Sequence, residues 1–321
     1  MPDTPTTPPR PMGSAAAGSP INFHQLHIFY TVATHGSFSR AAEALDITQP
    51  AVSIQVQELE KALGATLFHR RVRVLRLTQA GEMVLAYARQ IFSLSHRLVD
   101  SVQELQGLKA GRLILGASTT PGEFVLPLAV GQFRRLYPGI RVELSIANTR
   151  AIIQRILSGE VDLGMVGERP GDPAGELEML DYVNDEIVLV AAPEHPVAAR
   201  QPLTPAQAAE AGLIVREPGS NTRQTAERHF AALGVQPEIA LVLGSNHAVK
   251  QAAVGGGGVG VISRLGVQTE VKAGMLTILD VTGWDCRRPL TLIYHKGRYL
   301  SPAQRAFLSF LEGRRAAVQP G

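Results

Sequence analysis

Hydrogen-bonding side chains recur at every fourth position of the segment TQPAVSIQVQELEKALG, residues 48–64. Gln49, Ser53 and Gln57 would share one face of a helix, because residues four apart lie one turn above each other. A glutamine amide can form two hydrogen bonds with adenine, and a serine hydroxyl can bond bases of either type. This face could therefore read base edges in the major groove of DNA. The alternative is a polar helix face that only contacts water.

Three predicted helices would position this face. Apolar residues at helical spacing predict a first helix that includes Leu26 and ends near Gly36. Ser37 is a suitable N-cap for a second, short helix, and Thr48 for the third, in which Pro50 occupies the first turn. The third helix has a predicted buried stripe: Val52, Val56, Leu59 and Leu63. Two helices joined by a tight turn, with short polar side chains at the start of the second, are typical of a helix-turn-helix.

An arginine-rich segment follows the third helix. Apolar residues between positions 67 and 77 predict two short strands, which also carry basic residues: Arg70, Arg71, Arg73 and Arg76. A two-stranded wing beside the helix would place these cations against phosphates or in the minor groove. A solvated charged face is the alternative, but the neighbouring helix-turn-helix favours DNA binding.

The next predicted helix carries a heptad repeat. Its seam positions are spaced by four and three residues, with one polar interruption: Val84, Ala88, Ile91, Ser95, Leu98, Val102 and Leu105. Such a seam needs a partner, and the same helix of a second subunit would create a homodimer with two recognition helices. The alternative is packing against the first helix of the same chain.

Residues 21–110 resemble the DNA-binding and linker-helix portion of LysR-type transcriptional regulators. The resemblance rests on FYTVATHGSFSRAAEALDITQPAVSIQVQELEKALGATLFHR, followed by LTQAGE. It implies that Gln49, Pro50 and Ser53 approach base edges and that Arg70 contacts the DNA backbone. Ile54 departs from the arginine that many members carry here, so that base contact is absent, although an apolar side chain can touch a thymine methyl group.

The remaining two thirds of the chain alternate short apolar runs with helical patterns. Eight strands are predicted: RLILGAS, IRVELSI, VDLGMVG, EIVLVAA, LIVRE, EIALVL, GVGVIS and LTLIYH. The predicted helices span 121–136, 151–157, 205–211, 222–233, 248–254 and 302–313. Strands separated by helices predict parallel α/β sheets in two lobes. This arrangement resembles the effector domain of the same regulators, which is itself similar to periplasmic solute-binding proteins.

The predicted fold class is α+β, with a winged helix-turn-helix, a long linker and dimerisation helix, and a two-lobed α/β effector-binding domain. The predicted divisions are a disordered arm (1–20), the winged domain (21–80), the linker helix (81–110), the two-lobed domain (111–315) and a tail (316–321). Lobe 1 would contain residues 111–187 and 289–315, and lobe 2 would contain residues 188–288.

Three junctions between a strand and a helix carry small polar residues. Ligands bind beyond the carboxyl ends of parallel strands, and a helix N-terminus favours an anion. The segments ASTTPGE, REPGSNTRQT and GSNHAVK therefore predict an interlobe site for a small anionic effector: Ser118, Thr119, Thr120, Arg216, Ser220, Asn221, Thr222, Arg223 and Asn246. Helix capping alone would explain any one junction. Stretches similar to REPGSNTR occur in family members linked to carbon fixation and to sulfur or cysteine metabolism.

Composition limits the remaining possibilities. With 321 residues, of which 45% are hydrophobic, the chain can fill the cores of two or three domains. The single cysteine, Cys286, allows no internal disulfide and fits a reducing cytosol. Residues 1–20 lack the apolar core of a secretory signal, and no stretch stays apolar long enough to cross a bilayer. We therefore expect a cytoplasmic protein.

The sequence predicts no catalytic site, metal or cofactor. The glycine-rich segment VGGGGVGV lacks the lysine and hydroxyl of a phosphate-binding loop, and the histidines lack metal-ligand spacing. Glu168 would face the interlobe cleft, but the sequence assigns it no partner for acid–base chemistry.

These patterns predict a sequence-specific, DNA-binding transcription regulator that is modulated by a small anionic effector. Its expected partners are double-stranded DNA with a promoter palindrome, a small anionic metabolite, RNA polymerase, and further copies of the chain as a homodimer or homotetramer. The alternatives are an exported solute-binding protein, and a cytoplasmic small-molecule-binding protein or enzyme built on the two-lobed domain. None of these alternatives explains residues 37–78.

Overall fold

A computed structural model describes residues 21–69, 75–104, 111–172 and 174–318 of the chain. Contacts between Cα atoms divide it into two compact units, which meet in sequence between Phe92 and Ser93. We call them unit 1 and unit 2. Each unit has a hydrophobic core of its own.

Helices form most of unit 1: α1 (Phe23–His35), α2 (Phe38–Leu45), α3 (Gln49–Leu63) and the first part of α4 (Gln79–Glu104). Helix α1 ends at Gly36, whose φ of 60° is left-handed. The hydroxyls of Ser37 and Thr48 cap α2 and α3 by accepting the backbone N–H groups of Arg40 and Ala51. The predicted ends of these helices are therefore confirmed.

The core of unit 1 lies between α1, α2 and α3. Val52, Val56 and Leu59 are buried as predicted, and Leu63 is half-buried at the edge of the same cluster. The neighbouring Glu60 is also buried, and its Oε1 accepts a hydrogen bond from the backbone N–H of Leu67 at 2.7 Å. This hydrogen bond attaches the chain after α3 to the body of unit 1.

The segment after α3 forms the base of a hairpin. Phe68 and Leu77 form an antiparallel bridge, and residues 70–74 of the two predicted strands lie outside the described residues. Gly81, in the first turn of α4, packs closely on this base. A Cβ atom at Gly81 would lie 2.1 Å from the carbonyl oxygen of Leu67, so only glycine fits there.

Helix α4 carries the predicted heptad seam. Three seam residues are buried or half-buried in the core of unit 1: Val84, Ala88 and Ile91. The alternative therefore holds for this half of the seam, because α4 packs on α1, where the rings of Tyr30 and Phe92 lie 5.4 Å apart. In the second half, Leu98 and Val102 are 65% and 57% exposed. Leu105 lies outside the described residues.

The described residues of unit 2 contain nine strands: β1 (Gly111–Ala117), β2 (Ile140–Ile146), β3 (Leu163–Gly167), β4 (Leu177–Ala191), β5 (Leu213–Arg216), β6 (Ile239–Leu243), β7 (Val259–Ser263), β8 (Thr277–Ile278) and β9 (Arg287–His295). The helices are α5 (Thr119–Phe124), α6 (Leu126–Leu136), α7 (Thr149–Ser158), α8 (Pro205–Glu210), α9 (Asn221–Ala232), α10 (Asn246–Val254), α11 (Gln268–Lys272) and α12 (Pro302–Val318). All eight predicted strands are confirmed, whereas β8 and α11 were not predicted.

The strands follow the order β2–β1–β3–β9–β4–β7–β5–β6, and β8 pairs with β4. In lobe 1, strand β1 pairs in parallel with β2 and with β3. In lobe 2, strand β5 pairs in parallel with β6 and with β7. The prediction of parallel sheets is correct within each lobe but wrong for β4 and β9. These two strands are antiparallel because one carries the chain out of lobe 1 and the other brings it back.

Strand β4 belongs to both lobes. Its first part pairs with β9, and its second part, from Ile187 to Val190, pairs with β7. Only the second part was predicted as a strand, because acidic residues interrupt the apolar pattern of the first part, LEMLDYVND. The predicted boundary at 188 falls within this strand, and the domain boundaries stay a prediction.

Each lobe is packed around aromatic residues. In lobe 1, Phe307 of α12 meets Phe133 of α6 with ring centroids 5.0 Å apart, and Phe230 is buried in lobe 2. The helix predicted at 121–136 is divided at Val125 into α5 and α6. The break arises because Pro127 lacks an N–H group and fits the first turn of a new helix. Within the described parts of the chain, no helix is long and apolar enough to cross a membrane.

Candidate functional site

The solvent-facing surface of α3 carries the side chains assigned to base recognition. Gln49, Pro50, Ile54 and Gln57 are exposed, and Ser53 is half-buried among them. Gln49 Nε2 donates to Ser53 Oγ at 3.5 Å across one turn. Four of the five residues lie in the first half of α3, which is the part of a recognition helix that meets base edges, and Gln57 follows one turn after Ser53.

The arginines assigned to the wing lie mostly outside the described residues. Arg70, Arg71 and Arg73 fall in the segment 70–74, so their contacts stay a prediction. At the base of the hairpin, the backbone N–H of His69 donates to the carbonyl oxygen of Arg76 at 2.9 Å. Both side chains are exposed. The hairpin therefore starts and finishes at accessible basic side chains.

A buried arginine connects the two lobes of unit 2. Arg288 is the second residue of β9, and 2% of its side chain is exposed. Its Nη2 donates to Thr120 Oγ1 of lobe 1 and to Thr222 Oγ1 of lobe 2, both at 3.0 Å. Its Nη1 donates to Asn221 Oδ1 at 2.6 Å. Three of the residues assigned to effector binding therefore meet at one guanidinium group.

Asp185 of β4 balances the charge of this arginine. Its Oδ2 accepts from Arg288 Nε at 3.1 Å and from Nη2 at 2.9 Å, and its Oδ1 accepts from the hydroxyl of Ser263 at 2.5 Å. Burial raises the pKa of the Asp185 carboxyl, and the two partners act against that rise. A buried guanidinium is stable only when it is paired and hydrogen-bonded. Asp185 is therefore what allows Arg288 to lie in the interior.

A second contact between the lobes runs through Asn246, the first residue of α10. Arg216 Nη1 donates to Asn246 Oδ1 at 2.8 Å, and Asn246 Nδ2 donates to Glu123 Oε2 of α5 at 2.8 Å. Arg216 also forms a bidentate ion pair with the adjacent Glu217, at 2.8 Å for both bonds. Arg216 and Asn246, both assigned to effector binding, are thus bonded to each other and reach lobe 1 through Glu123.

A third contact starts at Glu168, directly after β3. Its Oε2 accepts from Asn221 Nδ2 at 2.8 Å and from Arg228 Nη2 at 2.7 Å, both on α9 of lobe 2. The hydrogen bond from Arg228 holds the pKa of the Glu168 carboxyl below its usual value. Gly167 allows lobe 2 to approach, since a Cβ atom there would lie 2.9 Å from Asn221 Oδ1. These contacts supply the partners that the sequence did not assign to Glu168.

Four residues assigned to effector binding remain: Ser118, Thr119, Ser220 and Arg223. Ser118 Oγ accepts the backbone N–H of Gly167 at 3.0 Å within lobe 1, and Thr119 begins α5. Ser220 precedes α9, but its side chain does not cap the helix. Arg223 Nε instead donates to a glutamate one turn along α9, at 2.7 Å. Its Nη1 donates to the backbone carbonyl oxygen of the last residue of β5 at 3.2 Å, so Arg223 is engaged within lobe 2.

The central residue of the cluster was missed by the sequence analysis. Arg288 lies in WDCRRPLTLIYH, two residues before a run of apolar side chains. A charge at the edge of a buried strand was the available signal, because such a charge has to be paired on folding. Asp185, Glu123 and Arg228 were also missed, because their contacts join segments that are distant in sequence.

Metal binding and thiol chemistry have no support in the described residues. No three histidine, cysteine, aspartate or glutamate side chains in them are grouped as metal ligands. Cys286 is buried, as expected for a core residue, and burial raises the pKa of its thiol to about 12. The thiol is therefore protonated and unreactive at neutral pH.

Two family models match most of the chain. Residues 23–82 match the bacterial regulatory helix-turn-helix protein model of the lysR family. Residues 106–316 match the LysR substrate binding domain model. The first match contains α1, α2 and α3, and the second contains both lobes.

Curated relatives extend over nearly the whole chain. The HTH-type transcriptional activator CmpR of Synechocystis sp. is 34% identical over 92% of this chain and 96% of its own length. The RuBisCO operon transcriptional regulator of Allochromatium vinosum is 35% identical over 91% of this chain and 95% of its own length. Both are named as regulators, not as enzymes. Of the two metabolic branches that the sequence suggested, these names favour carbon fixation.

Solved structures share the fold. Full-length CbnR complexed with its target DNA has a TM-score of 0.71 at 23% identity, covering 91% of this chain and 99% of CbnR. The regulatory domain of Synechocystis CcmR in complex with 2-PG has a TM-score of 0.59 at 31% identity, covering 65% of this chain and 99% of that domain. The chain therefore belongs to the LysR family of bacterial transcriptional regulators.

Proposed function

We propose that this regulator controls carbon-fixation genes and senses a small phosphorylated carboxylate between its two lobes. The CcmR domain was solved with 2-PG, 2-phosphoglycolate, and several relatives are named for the RuBisCO operon. The anion would bind where Thr120, Thr222 and Asn221 meet Arg288. The relatives support this ligand class, and the contacts of this chain support this location.

The hydroxyl pair beside Arg288 is the observation that carries this proposal. Thr120 Oγ1 and Thr222 Oγ1 come from different lobes, lie 3.4 Å apart and both accept from the guanidinium. Because the oxygens accept from Arg288, the O–H hydrogens point elsewhere, and at least one of them can donate to a ligand. An anion oxygen that bridges the two hydroxyls from one side would bond both lobes at once.

Helix α9 adds a positive potential to the same place. Its first N–H groups have no partner within the helix, and the Ser220 side chain does not cap them. The helix has 12 residues, so its dipole favours an anion at this end. Arg228, whose side chain is 59% exposed, adds a cation on the same helix. These features favour a phosphate or carboxylate group over a neutral ligand.

Helix α3 would read the promoter. Gln49, Ser53 and Gln57 would bond base edges, Pro50 would approach them, and Ile54 would touch a thymine methyl group. The wing would contact the phosphate backbone through its basic residues: Arg70, Arg71 and Arg73. A protein bound to promoter DNA in this way acts in the cytoplasm and lies within reach of RNA polymerase.

An exposed apolar stripe on α4 supports a homodimer. Leu94, Leu98 and Val102 are spaced by four residues and are 61%, 65% and 57% exposed. Such a stripe is stabilised when it packs on a second copy of the same helix. The dimer would present two α3 helices to the half-sites of a palindrome, and two dimers could combine into a tetramer.

The effector would act by changing the arrangement of the lobes. An anion bonded to Thr120 and Thr222 binds more tightly when the lobes are closed, because each lobe supplies one hydroxyl. Only such a difference in affinity can shift the equilibrium between two arrangements. The closed arrangement would then alter how the subunits hold the DNA.

Selection of genomic fragments tests the regulator part of the proposal. The purified full-length protein is incubated with fragments of its source genome, with and without 2-phosphoglycolate, at two salt concentrations. We expect enrichment of promoters that share an interrupted palindrome and lie beside carbon-fixation genes, and a change in that enrichment with the anion. Enrichment of salt-labile, unrelated fragments alone would contradict sequence-specific regulation.

Calorimetric titration with 2-phosphoglycolate tests the site. Thr222→Val keeps the shape of the side chain but removes the hydroxyl that joins the lobes, and should weaken binding by about tenfold. Thr269→Val, at an exposed position of α11, is the matched control and should bind like the unsubstituted protein. Equal binding by both variants would place the anion elsewhere.

A further inference from the structure

A carboxylate of lobe 1 occupies hydrogen-bond donors of lobe 2 beside the Arg288 cluster. Glu168 Oε2 accepts from Asn221 Nδ2 at 2.8 Å and from Arg228 Nη2 at 2.7 Å. Asn221 also accepts from Arg288, so it belongs to both contacts. A glutamate offers the same acceptor oxygens as a phosphate or carboxylate ligand. Glu168 therefore lies where an anionic ligand would find its donors.

The backbone directs Glu168 toward lobe 2. Its φ of 66° is left-handed, a conformation that residues with a Cβ atom rarely adopt. The conformation is held from β9, because the backbone N–H of Glu168 donates to the carbonyl oxygen of Pro289 at 2.7 Å. The preceding Gly167 leaves room for the side chain of Asn221. An uncommon backbone conformation thus supports the contact between the lobes.

The contact between Glu168 and Arg228 is exposed enough for an anion from solution to displace it. Glu168 and Arg228 form an ion pair whose side chains are 34% and 59% exposed. Ion pairs with this exposure contribute little to stability, because water screens them and competes for the same groups. The contact through Glu123 differs, since its partner Asn246 is neutral and 1% exposed. An anion from solution can therefore reach Arg228 more readily than Asn246.

We propose that Glu168 is a built-in competitor of the effector. Without ligand, its carboxylate holds α9 of lobe 2, and an anionic effector has to displace it from Asn221 and Arg228. The displaced carboxylate stays close to the ligand and repels it, so the cleft binds the anion only above a higher concentration. This inference rests on the proposed anionic effector, and it adds a concentration threshold set by one side chain.

Three variants of the full-length protein test the inference. Glu168→Gln keeps the size of the side chain but removes its charge, and Arg228→Gln breaks the same ion pair from the other lobe. Glu143→Gln is the matched control. Glu143 also lies in lobe 1 and pairs with an arginine, Arg112, at 3.0 Å, and its side chain is 38% exposed, but it lies on the edge strand β2.

Hydrogen exchange without ligand measures how strongly the contact with Glu168 stabilises α9 of lobe 2. In Glu168→Gln and Arg228→Gln, the amides of residues 221–228 should exchange about threefold to tenfold faster than in the unsubstituted protein, whereas Glu143→Gln should leave them unchanged. Unchanged exchange in Glu168→Gln would overturn the inference, whether or not an anion binds.

Calorimetric titration with 2-phosphoglycolate measures the competition. Glu168→Gln should bind about threefold to tenfold more tightly, and Arg228→Gln more weakly by a similar factor, with Glu143→Gln within about twofold of the unsubstituted protein. A purely structural ion pair would shift both cleft variants in the same direction. Equal or weaker binding by Glu168→Gln, with binding by the unsubstituted protein intact, would overturn the competitor role. If none of the four proteins binds the anion, the proposed effector class fails and the competitor role fails with it.

Discussion

Replacing Arg288 with glutamine tests the central contact of the cleft. The variant leaves Asp185, whose side chain has 0% exposure, with a negative charge and no cation beside it. Breaking a buried ion pair by removing one partner costs about 3–5 kcal/mol in the free energy of unfolding. For a unit of this size, that loss lowers the melting temperature by about 6–20 °C.

The loss should depend on pH, because Asp185 can take up a proton. Burial raises the pKa of its carboxyl, and without Arg288 the pKa rises further. A carboxyl with a higher pKa in the folded than in the unfolded protein holds its proton more tightly when folded. Its contribution to stability is therefore present at low pH and lost as the pH rises through the folded-state pKa. The destabilisation should be smaller at about pH 5.5 than at about pH 8.

Trp284, the single tryptophan of the chain, reports this unfolding. Its ring lies 4.6 Å from that of Phe230 in lobe 2, so its fluorescence in a urea titration follows this unit. Arg141→Gln, at a side chain that is 79% exposed, is the control and should lose less than about 0.5 kcal/mol. Adding Asp185→Asn to Arg288→Gln should recover stability, because the unpaired charge is removed.

Two outcomes would refute this reasoning about Arg288. A loss below about 1 kcal/mol would mean that Asp185 finds another partner or is already protonated. A larger loss that does not change with pH would mean that packing, and not the unpaired carboxylate, causes it. In either case the guanidinium could not be described as the charge partner of Asp185.

Three further substitutions test separate parts of the molecule. Ser53→Ala should reduce the preference for a cognate over a scrambled DNA site by about 1–3 kcal/mol in competition binding; an unchanged preference would remove Ser53 from base recognition. Asp162→Asn should flatten the pH dependence of unfolding, because burial raises the pKa of Asp162 to about 6. The protonated carboxyl stabilises the folded protein by up to about 2–3 kcal/mol below pH 4, and this contribution is lost as the pH rises through about 6. If the free energy of unfolding changed with pH as steeply in the variant, this role of Asp162 would be contradicted. Leu98→Asp should yield monomers in light scattering, whereas Met275→Asp, at a 46% exposed position, should not.

The helices of unit 1 could be predicted closely because local signals determine them. Ser37 and Thr48 cap their helices through groups only three residues away, and Gly36 ends α1 through its own backbone conformation. Such signals are present in any short window of sequence. The wing was harder, since its one described bridge joins Phe68 to Leu77, which no single short window of sequence determines.

The cleft could be predicted only in part. Thr120, Asn221 and Thr222 were identified because they follow strands, where ligands of open sheets bind. Arg288 was not, because its bond to Thr120 joins positions 168 residues apart. Arg223 was included because it is adjacent in sequence, but its side chain bonds its own helix and the end of β5. A sequence shows which residues follow a strand, but it does not show which distant charge will be buried against them.

The heptad seam of α4 shows a different limit. Its period predicts that one face of the helix is covered, but the same period fits a partner helix from the same chain or from a second copy. Ala88 is buried in the core of unit 1, whereas the side chain of Leu98 is exposed among the described residues. The spacing of the apolar residues therefore predicts an apolar stripe on the helix, but it does not predict which helix packs on that stripe.

The position of Arg288 explains how one anion could act on the whole of unit 2. Asp185 and Arg288 are opposite each other in the pairing of β4 with β9, the two strands that cross between the lobes. The guanidinium is thus fixed to the crossing strands while it donates to a hydroxyl of each lobe. A ligand keeps its bond to one of these hydroxyls when the lobes separate, so closure adds one hydrogen bond, which contributes about 0.5–1.5 kcal/mol. That one bond reaches the lower part of the range of typical allosteric coupling, roughly 1–3 kcal/mol.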